Sequence, residues 1–144
     1  MKACCKTVGL FGVASLALAG VMTVGLMSGA AEAPKKQFKI GVIAKSQSNP
    51  VFQAARTGAE DAGKELSAKL GIDVKVEWRT PVNEDAQLQA QYIEQMASQG
   101  VDGIAISASD ANVLTAAANS AIDRGVTLMT FDSDIPNSKR MAYY

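Results

Sequence analysis

The side chains best suited to chemistry stand in four short polar segments, each of which directly follows an apolar run. They combine carboxylates, amides, hydroxyls and two basic groups, and they are Lys45, Gln47, Ser48, Asn49, Arg79, Thr80, Ser107, Ser109, Asp110, Asp132, Ser133 and Asp134. A carboxylate can accept two hydroxyl hydrogen bonds, and an amide both donates and accepts. Phe52 and Trp78 stand close to the same segments, and an aromatic ring can cover the C–H face of a sugar. This set is typical of a site for a neutral polyhydroxylated ligand.

Most of these residues also have a purely structural explanation. Asn49 and Asp110 stand where helices are predicted to begin, and a side-chain oxygen at that position caps free backbone N–H groups. Phe52 and Trp78 could belong to the hydrophobic core. Asp132 has the fewest such explanations, because it directly follows a buried strand and no predicted helix begins beside it. Asp132 is therefore the first candidate for a ligand residue.

The composition argues against several other classes of function. The chain has no histidine, and its two cysteines, Cys4 and Cys5, precede the first apolar run, which excludes histidine-based nucleophile pairs and Cys/His zinc sites. No phosphate-binding glycine motif follows the first strand, and Lys45 stands where a phospho-receiver domain needs acidic residues. The 14 basic and 14 acidic residues are interspersed, which argues against nucleic acid as a partner. We therefore expect no enzymatic activity, no cofactor and no metal.

The first 33 residues have the layout of a secretory signal peptide. Lys2 and Lys6 precede an apolar run over residues 8–27, and small residues follow it. Cleavage between residues 30 and 33 is expected, since the sequence Ala31-Glu32-Ala33 matches the usual cleavage pattern. The alternative is an uncleaved membrane anchor, because the apolar run approaches the roughly 20 residues that span a bilayer.

Residues 34–144 alternate strands with helices. The apolar patterns predict strands at residues 38–44, 72–79, 101–107, 126–131 and from 141, and helices at 50–70, from about 83 to 99 and from about 110. Three times a helix is followed by a glycine and then a strand, which is typical of βαβ units and a parallel sheet. The strict alternation over 72–79 indicates an edge strand. Because ligands of such sheets bind at the carboxyl ends of the strands, all four polar segments are expected at one rim.

The helix predicted from Pro50 carries apolar residues at steps of three and four. They predict one buried stripe, composed of Val51, Phe52, Ala55, Ala59, Ala62, Leu66 and Leu70. We therefore expect this stripe to pack against the sheet.

Four segments resemble the type I periplasmic solute-binding proteins, in particular the ribose- and sugar-binding branch, which is also similar to the ligand domain of LacI-type repressors. They are IGVIAKSQSNPVF (residues 40–52), ARTGAEDAGKEL (55–66), GVDGIAISASDANVL (100–114) and GVTLMTFDSDIPNSKRMAY (125–143). The resemblance covers nearly all of residues 34–144, in family order. It implies a Rossmann-like lobe with helices on both faces of a sheet of order 2-1-3-4-5, the first of two lobes that close around a ligand.

The resemblance also implies roles for particular residues. Asn49 and Phe52 match the loop that touches the sugar, and Asp132 matches the aspartate that binds ring hydroxyls. Ser107 stands where ribose binders place an asparagine, and Ser133 where they place an arginine.

A further departure is Val51, where ribose binders have an aromatic residue, so that Trp78 would supply the aromatic surface. These departures argue against ribose as the specific ligand. The full candidate set consists of Lys45, Asn49, Phe52, Trp78, Ser107, Asp132 and Ser133.

The function implied by the resemblance is extracytoplasmic binding of a monosaccharide or related polyol and its delivery to an ABC-type importer. The protein is expected to be a periplasmic monomer that passes its ligand to a membrane permease. The alternative is a ligand-binding sensory domain that signals to a membrane kinase or chemoreceptor. Because family members have a second lobe, we expect residues 34–144 to be an N-terminal lobe truncated before it.

Overall fold

The computed structural model describes residues 36–144, so that the predicted signal peptide lies outside the described residues. Strands and helices alternate in the order β1 (Gln37–Ile43), α1 (Pro50–Leu70), β2 (Asp73–Trp78), α2 (Ala86–Ser98), β3 (Gly103–Ile106), α3 (Ala111–Asp123), β4 (Thr127–Thr130) and β5 (Ala142–Tyr143). Every predicted strand and helix is present. The strands β3 and β4 are shorter than predicted at both ends.

The five strands form one parallel sheet in the order β2-β1-β3-β4-β5. This confirms the expected order and the edge position of β2. In the register of the sheet, Ile43 of β1 lies opposite Ile106 of β3, and Ile106 lies opposite Thr130 of β4. The loops that follow β1, β2, β3 and β4 (residues 44–49, 79–85, 107–110 and 131–141) therefore leave the sheet at the end where these parallel strands finish, which we call the carboxyl rim.

The helices α2 and α3 cover one face of the sheet and form the main core with it. The largest fully buried side chains there are Ile43, Ile93, Met96, Ile104, Ile106, Leu114 and Leu128. Burying an aliphatic side chain of this size contributes about 1.5–3 kcal/mol to folding. This core fixes the ends of β1, β3 and β4, from which the rim loops start.

The helix α1 contacts the edge strand β2 through a narrower face than predicted. Its buried residues are Phe52 and Gly63, whereas Val51, Leu66 and Leu70 of the predicted stripe are 66%, 44% and 59% exposed. The prediction of one continuous buried stripe was therefore wrong. An edge strand has no neighbour on its outer side, so it covers less of the helix than the apolar pattern indicates.

Among residues 36–144, the structure contains no helix whose length and hydrophobicity would allow it to span a bilayer.

Candidate ligand-binding site

Asp132 is held at the carboxyl rim in an unusual backbone conformation. Its φ is +58°, and it is the one non-glycine residue with positive φ within the described range. Aspartate tolerates this left-handed conformation better than most residues, but at a cost. Tyr143 of β5 and the next residue, Tyr144, bind the Asp132 backbone. The Asp132 N–H donates to the Tyr144 carbonyl at 3.2 Å, and the Tyr143 hydroxyl donates to the Asp132 carbonyl at 3.0 Å. Such a conformation, fixed by neighbouring structure, is frequent at functional sites.

The Asp132 carboxylate gathers side chains from the ends of three strands. The Ser107 hydroxyl, after β3, donates to Oδ2 at 2.7 Å, and the neighbouring Ser133 hydroxyl lies 3.4 Å from the same atom. Lys45, after β1, places Nζ 3.5 Å from Oδ2. The structure thus brings together four of the predicted site residues, which we call the Asp132 cluster (Lys45, Ser107, Asp132 and Ser133).

The electrostatics of the Asp132 cluster favour an ionised carboxylate. The hydrogen bond from Ser107 is the largest effect and lowers the pKa of Asp132 below its ordinary value. Burial opposes it as the second-largest effect, and the charge of Lys45 again lowers the pKa. The Asp132 side chain is 50% exposed. No described residue donates a hydrogen bond to its other oxygen, Oδ1, which is therefore available to ligand hydroxyls.

Gln89 of α2 ties the ends of two strands together at the rim. Its side chain is completely buried, and Nε2 donates to the carbonyls of Ala44 at 2.9 Å and Ser107 at 2.8 Å. Its Oε1 accepts from the Ser109 N–H at 2.9 Å. Gln89 was not among the predicted site residues. The available signal was a polar residue on the inner face of a helix, one turn before the buried Ile93.

Asn49 and Phe52 belong to the start of α1. Asn49 is the helix N-cap, because its Oδ1 accepts from the Val51 N–H at 3.0 Å, and Phe52 is buried. The loop before them is tied to the β2–α2 loop, since Gln47 donates through Nε2 to the Thr80 carbonyl at 2.6 Å. No hydrogen bond or ion pair of the described residues joins Asn49 or Phe52 to the Asp132 cluster, so their role in binding remains a prediction.

Trp78 lies on the edge strand β2, and two strands separate β2 from β4, after which Asp132 follows. It is partly buried on the edge strand β2, with Val42 of β1 opposite it. Since β1 and β3 lie between β2 and β4, the strand spacing separates Trp78 from the strand that carries Asp132 by roughly 14 Å. The structure does not bring Trp78 to the Asp132 cluster.

A second charged pair stabilises the chain just after Asp132. Arg140 Nε lies 2.6 Å from Asp134 Oδ1, and an Arg140 terminal nitrogen donates to Oδ2 at 2.7 Å. The Thr130 hydroxyl also donates to Oδ1 at 2.6 Å. Although burial opposes the shift, the hydrogen bonds from Thr130 and the Ile135 N–H, together with the Arg140 charge, hold the pKa of Asp134 below its ordinary value. The segment that carries Asp132 is therefore fixed on both sides.

The side chains at the rim are suited to binding a hydroxylated ligand through hydrogen bonds. An anionic acceptor, a cationic donor and two hydroxyls converge on an open surface, an arrangement suited to hydrogen bonds with a hydroxylated ligand. Within the described range, no three histidine, cysteine, aspartate or glutamate side chains lie close enough together to hold a metal ion.

Comparison with known proteins gives a consistent result. Residues 40–144 match the family model described as the periplasmic binding protein domain. The ribose import binding protein RbsB of Bacillus subtilis is 29% identical over 105 residues, which are 73% of this chain and 32% of that protein. The D-ribose/D-allose-binding protein of Pseudomonas aeruginosa is 28% identical over 72% of this chain and 31% of its own length. The chain thus spans about a third of the length of the curated relatives it matches.

Solved structures show the same fold. A solute-binding protein of an ABC transporter from Burkholderia graminis, in complex with D-arabinose, is 34% identical with a TM-score of 0.63, and the match covers 74% of this chain and 34% of that one. XylFII, in a complex with LytSN, is 28% identical with a TM-score of 0.67, over 74% of this chain and 37% of that one.

Proposed function

The chain belongs to the periplasmic binding protein domain family, and we propose that it supplies part of an extracytoplasmic site for a monosaccharide or related polyol. The observation that carries this proposal is the Asp132 carboxylate, which is half exposed, ionised and has one oxygen without a donor among the described residues. A carboxylate of this kind accepts hydrogen bonds from two hydroxyl groups of a sugar. The relatives named for ribose, allose and arabinose support the same ligand class.

The other residues of the Asp132 cluster would help to hold and orient the ligand rather than catalyse its conversion. Lys45 is 23% exposed and sits 3.5 Å from Asp132, so its ammonium group can turn toward a ligand oxygen without leaving the carboxylate. Ser107 holds Oδ2 and leaves Oδ1 for the ligand. The role proposed is therefore that of a non-enzymatic binding protein.

Delivery of the sugar to an ABC-type permease is the proposed use of this binding. The Bacillus subtilis relative is named as an import binding protein, which supports this use. We propose that residues 1–33 direct export as a cleaved signal peptide, that the protein acts as a monomer in the periplasm, and that a second lobe closes over the site in the whole protein.

The second candidate function is that of a sensory domain. It is favoured by one observation: XylFII, which shares the fold, was solved in a complex with LytSN. In that case the sugar-bound form would signal to a membrane protein rather than release its ligand for import.

An NMR titration tests the sugar-binding proposal, since it detects weak binding to a single lobe. D-ribose, D-allose and D-arabinose would each be added to the labelled chain. The proposal predicts that at least one of them shifts the amide signals of Ser107, Asp132 and Ser133. Signals that stay in place up to the solubility limit of all three sugars would contradict it.

A further inference from the structure

Both the nitrogen and the oxygen of the Gln89 side-chain amide have hydrogen-bond partners. A primary amide offers two N–H donors and one carbonyl acceptor, and here both donors and the acceptor have partners at 2.8–2.9 Å. The orientation of the amide is thereby fixed, since the reverse orientation would place Oε1 against two carbonyl oxygens. Because the side chain is fully buried, any hydrogen bond lost here would not be replaced by bulk water.

These three bonds end at the places where β1 and β3 leave the sheet. Ala44 is the residue directly before Lys45, Ser107 is itself a member of the Asp132 cluster, and Ser109 lies in the same loop. Ala44 and Ser107 are buried. Gln89 therefore joins the backbone from which the Lys45 side chain leaves to the backbone from which the Ser107 side chain leaves.

Both of these side chains reach the same atom, Oδ2 of Asp132, at 3.5 Å and 2.7 Å. Within residues 36–144, no hydrogen bond joins Gln89 directly to Asp132. A shift of either strand end would change these distances. Both contacts with Asp132 would then weaken, because a hydrogen bond weakens steeply with distance and angle.

We propose that Gln89 is a positioning residue of the binding site: from inside the core it sets the Lys45 and Ser107 backbones so that both side chains converge on Asp132. Its effect on sugar affinity rests on the proposed function, whereas its effect on the Asp132 cluster does not.

The first test needs no ligand. Gln89→Met removes the three hydrogen bonds without adding a charge, and Ile93→Ala is the matched control, a buried substitution one turn further along α2. The pKa of the Asp132 carboxyl would be measured by NMR in both. It should rise toward the ordinary aspartate value in Gln89→Met and remain at the wild-type value in Ile93→Ala. An unchanged Asp132 pKa in folded Gln89→Met would overturn the proposal.

The second test uses whichever of D-ribose, D-allose and D-arabinose the wild type binds. Affinity should fall tenfold or more in Gln89→Met but stay within about twofold in Ile93→Ala, even where both variants lose similar stability toward urea. Equal losses of affinity in the two variants would mean that Gln89 acts only on stability, and would overturn the proposal.

A substitute variant and the ligand-free test distinguish a positioning role of Gln89 from a failure to fold and from a failure of the proposed function. If Gln89→Met does not fold, Gln89→Asn takes its place, since it keeps an uncharged amide that is one methylene too short to reach all three partners, with Gln91→Asn on the exposed side of α2 as the control. If the wild type binds none of the sugars, the proposed function fails, and the Asp132 pKa comparison alone decides whether Gln89 positions the cluster.

Discussion

Ser107 and Asp132, 25 residues apart in sequence, meet at the carboxyl rim through a hydrogen bond of 2.7 Å. The hydroxyl comes from the end of β3 and the carboxylate from the end of β4, two strands that the sheet places side by side. This bond is the largest cause of the lowered pKa of Asp132. Because this bond is made by Oδ2, the Oδ1 atom is left without a donor among residues 36–144.

Ser107→Ala is expected to destabilise the protein near neutral pH by about 1 kcal/mol, since a half-exposed charge is partly screened by water. The sign of the pH dependence follows from the pKa of Asp132, which is lower in the folded state. The stabilisation is fully present above the unfolded-state pKa and is lost as pH falls through the folded-state pKa. Urea unfolding at neutral and strongly acidic pH measures the effect.

Ser48→Ala, which removes an exposed hydroxyl from the loop after β1, is the matched control. It should leave the free energy of unfolding unchanged at both pH values. A Ser107→Ala variant with the same deficit at acidic as at neutral pH would disprove the electrostatic explanation.

Gly63 and Gly58 of α1 form a matched pair for the packing of that helix. A Cβ at Gly63 would lie 2.9 Å from Val76 Cγ2, whereas at Gly58 it would meet nothing within 4 Å. Gly63→Ala should therefore destabilise by about 1–3 kcal/mol through overpacking. Gly58→Ala should stabilise by roughly 0.5–1 kcal/mol, because alanine favours the helix. Chemical denaturation measures the free energy of unfolding of both variants. A change of the same sign in both would show that α1 does not pack closely on β2.

Asn49 has two separable roles, one observed and one predicted. Asn49→Ala should lose about 1 kcal/mol of stability because the cap on the Val51 N–H is removed. Asn49→Asp keeps the cap but removes the amide donor, so it should retain stability and weaken sugar binding.

Thermal unfolding and a sugar titration on the two Asn49 variants separate these roles, with Asn83→Ala in the exposed β2–α2 loop as the control. If Asn49→Asp binds sugar as the wild type does, Asn49 is a cap alone.

Most of the fold could be predicted from the sequence because it depends on local patterns. Apolar runs and helix–glycine–strand junctions located every element, and the alternation of β2 together with the family resemblance gave the strand order. The exposure of Leu66 and Leu70 could not be predicted, since it depends on how far an edge strand extends under the helix.

The candidate site was predictable where position along the chain decides the role. Asp132 stood out because it directly follows a buried strand, and Ser107 because a parallel sheet brings the strand ends together. Gln89 was missed because its partners are backbone groups distant in sequence. The distance between Trp78 and Asp132 follows from the predicted order 2-1-3-4-5, in which two strands lie between β2 and β4, so the choice of Trp78 as a site residue did not use the predicted strand order.

The role of Asp132 as a ligand residue is tested by comparing the sugar affinity of Asp132→Asn with that of the wild type. Asparagine keeps the shape and tolerates the left-handed backbone but removes the charge. Asp61→Asn, an exposed aspartate of α1, is the control. We predict that Asp132→Asn loses about 1.5–3 kcal/mol of binding free energy, a tenfold to roughly hundredfold weaker affinity, and that Asp61→Asn loses none. Equal affinity of Asp132→Asn and the wild type for the sugar would show that the Asp132 carboxylate does not bind the ligand.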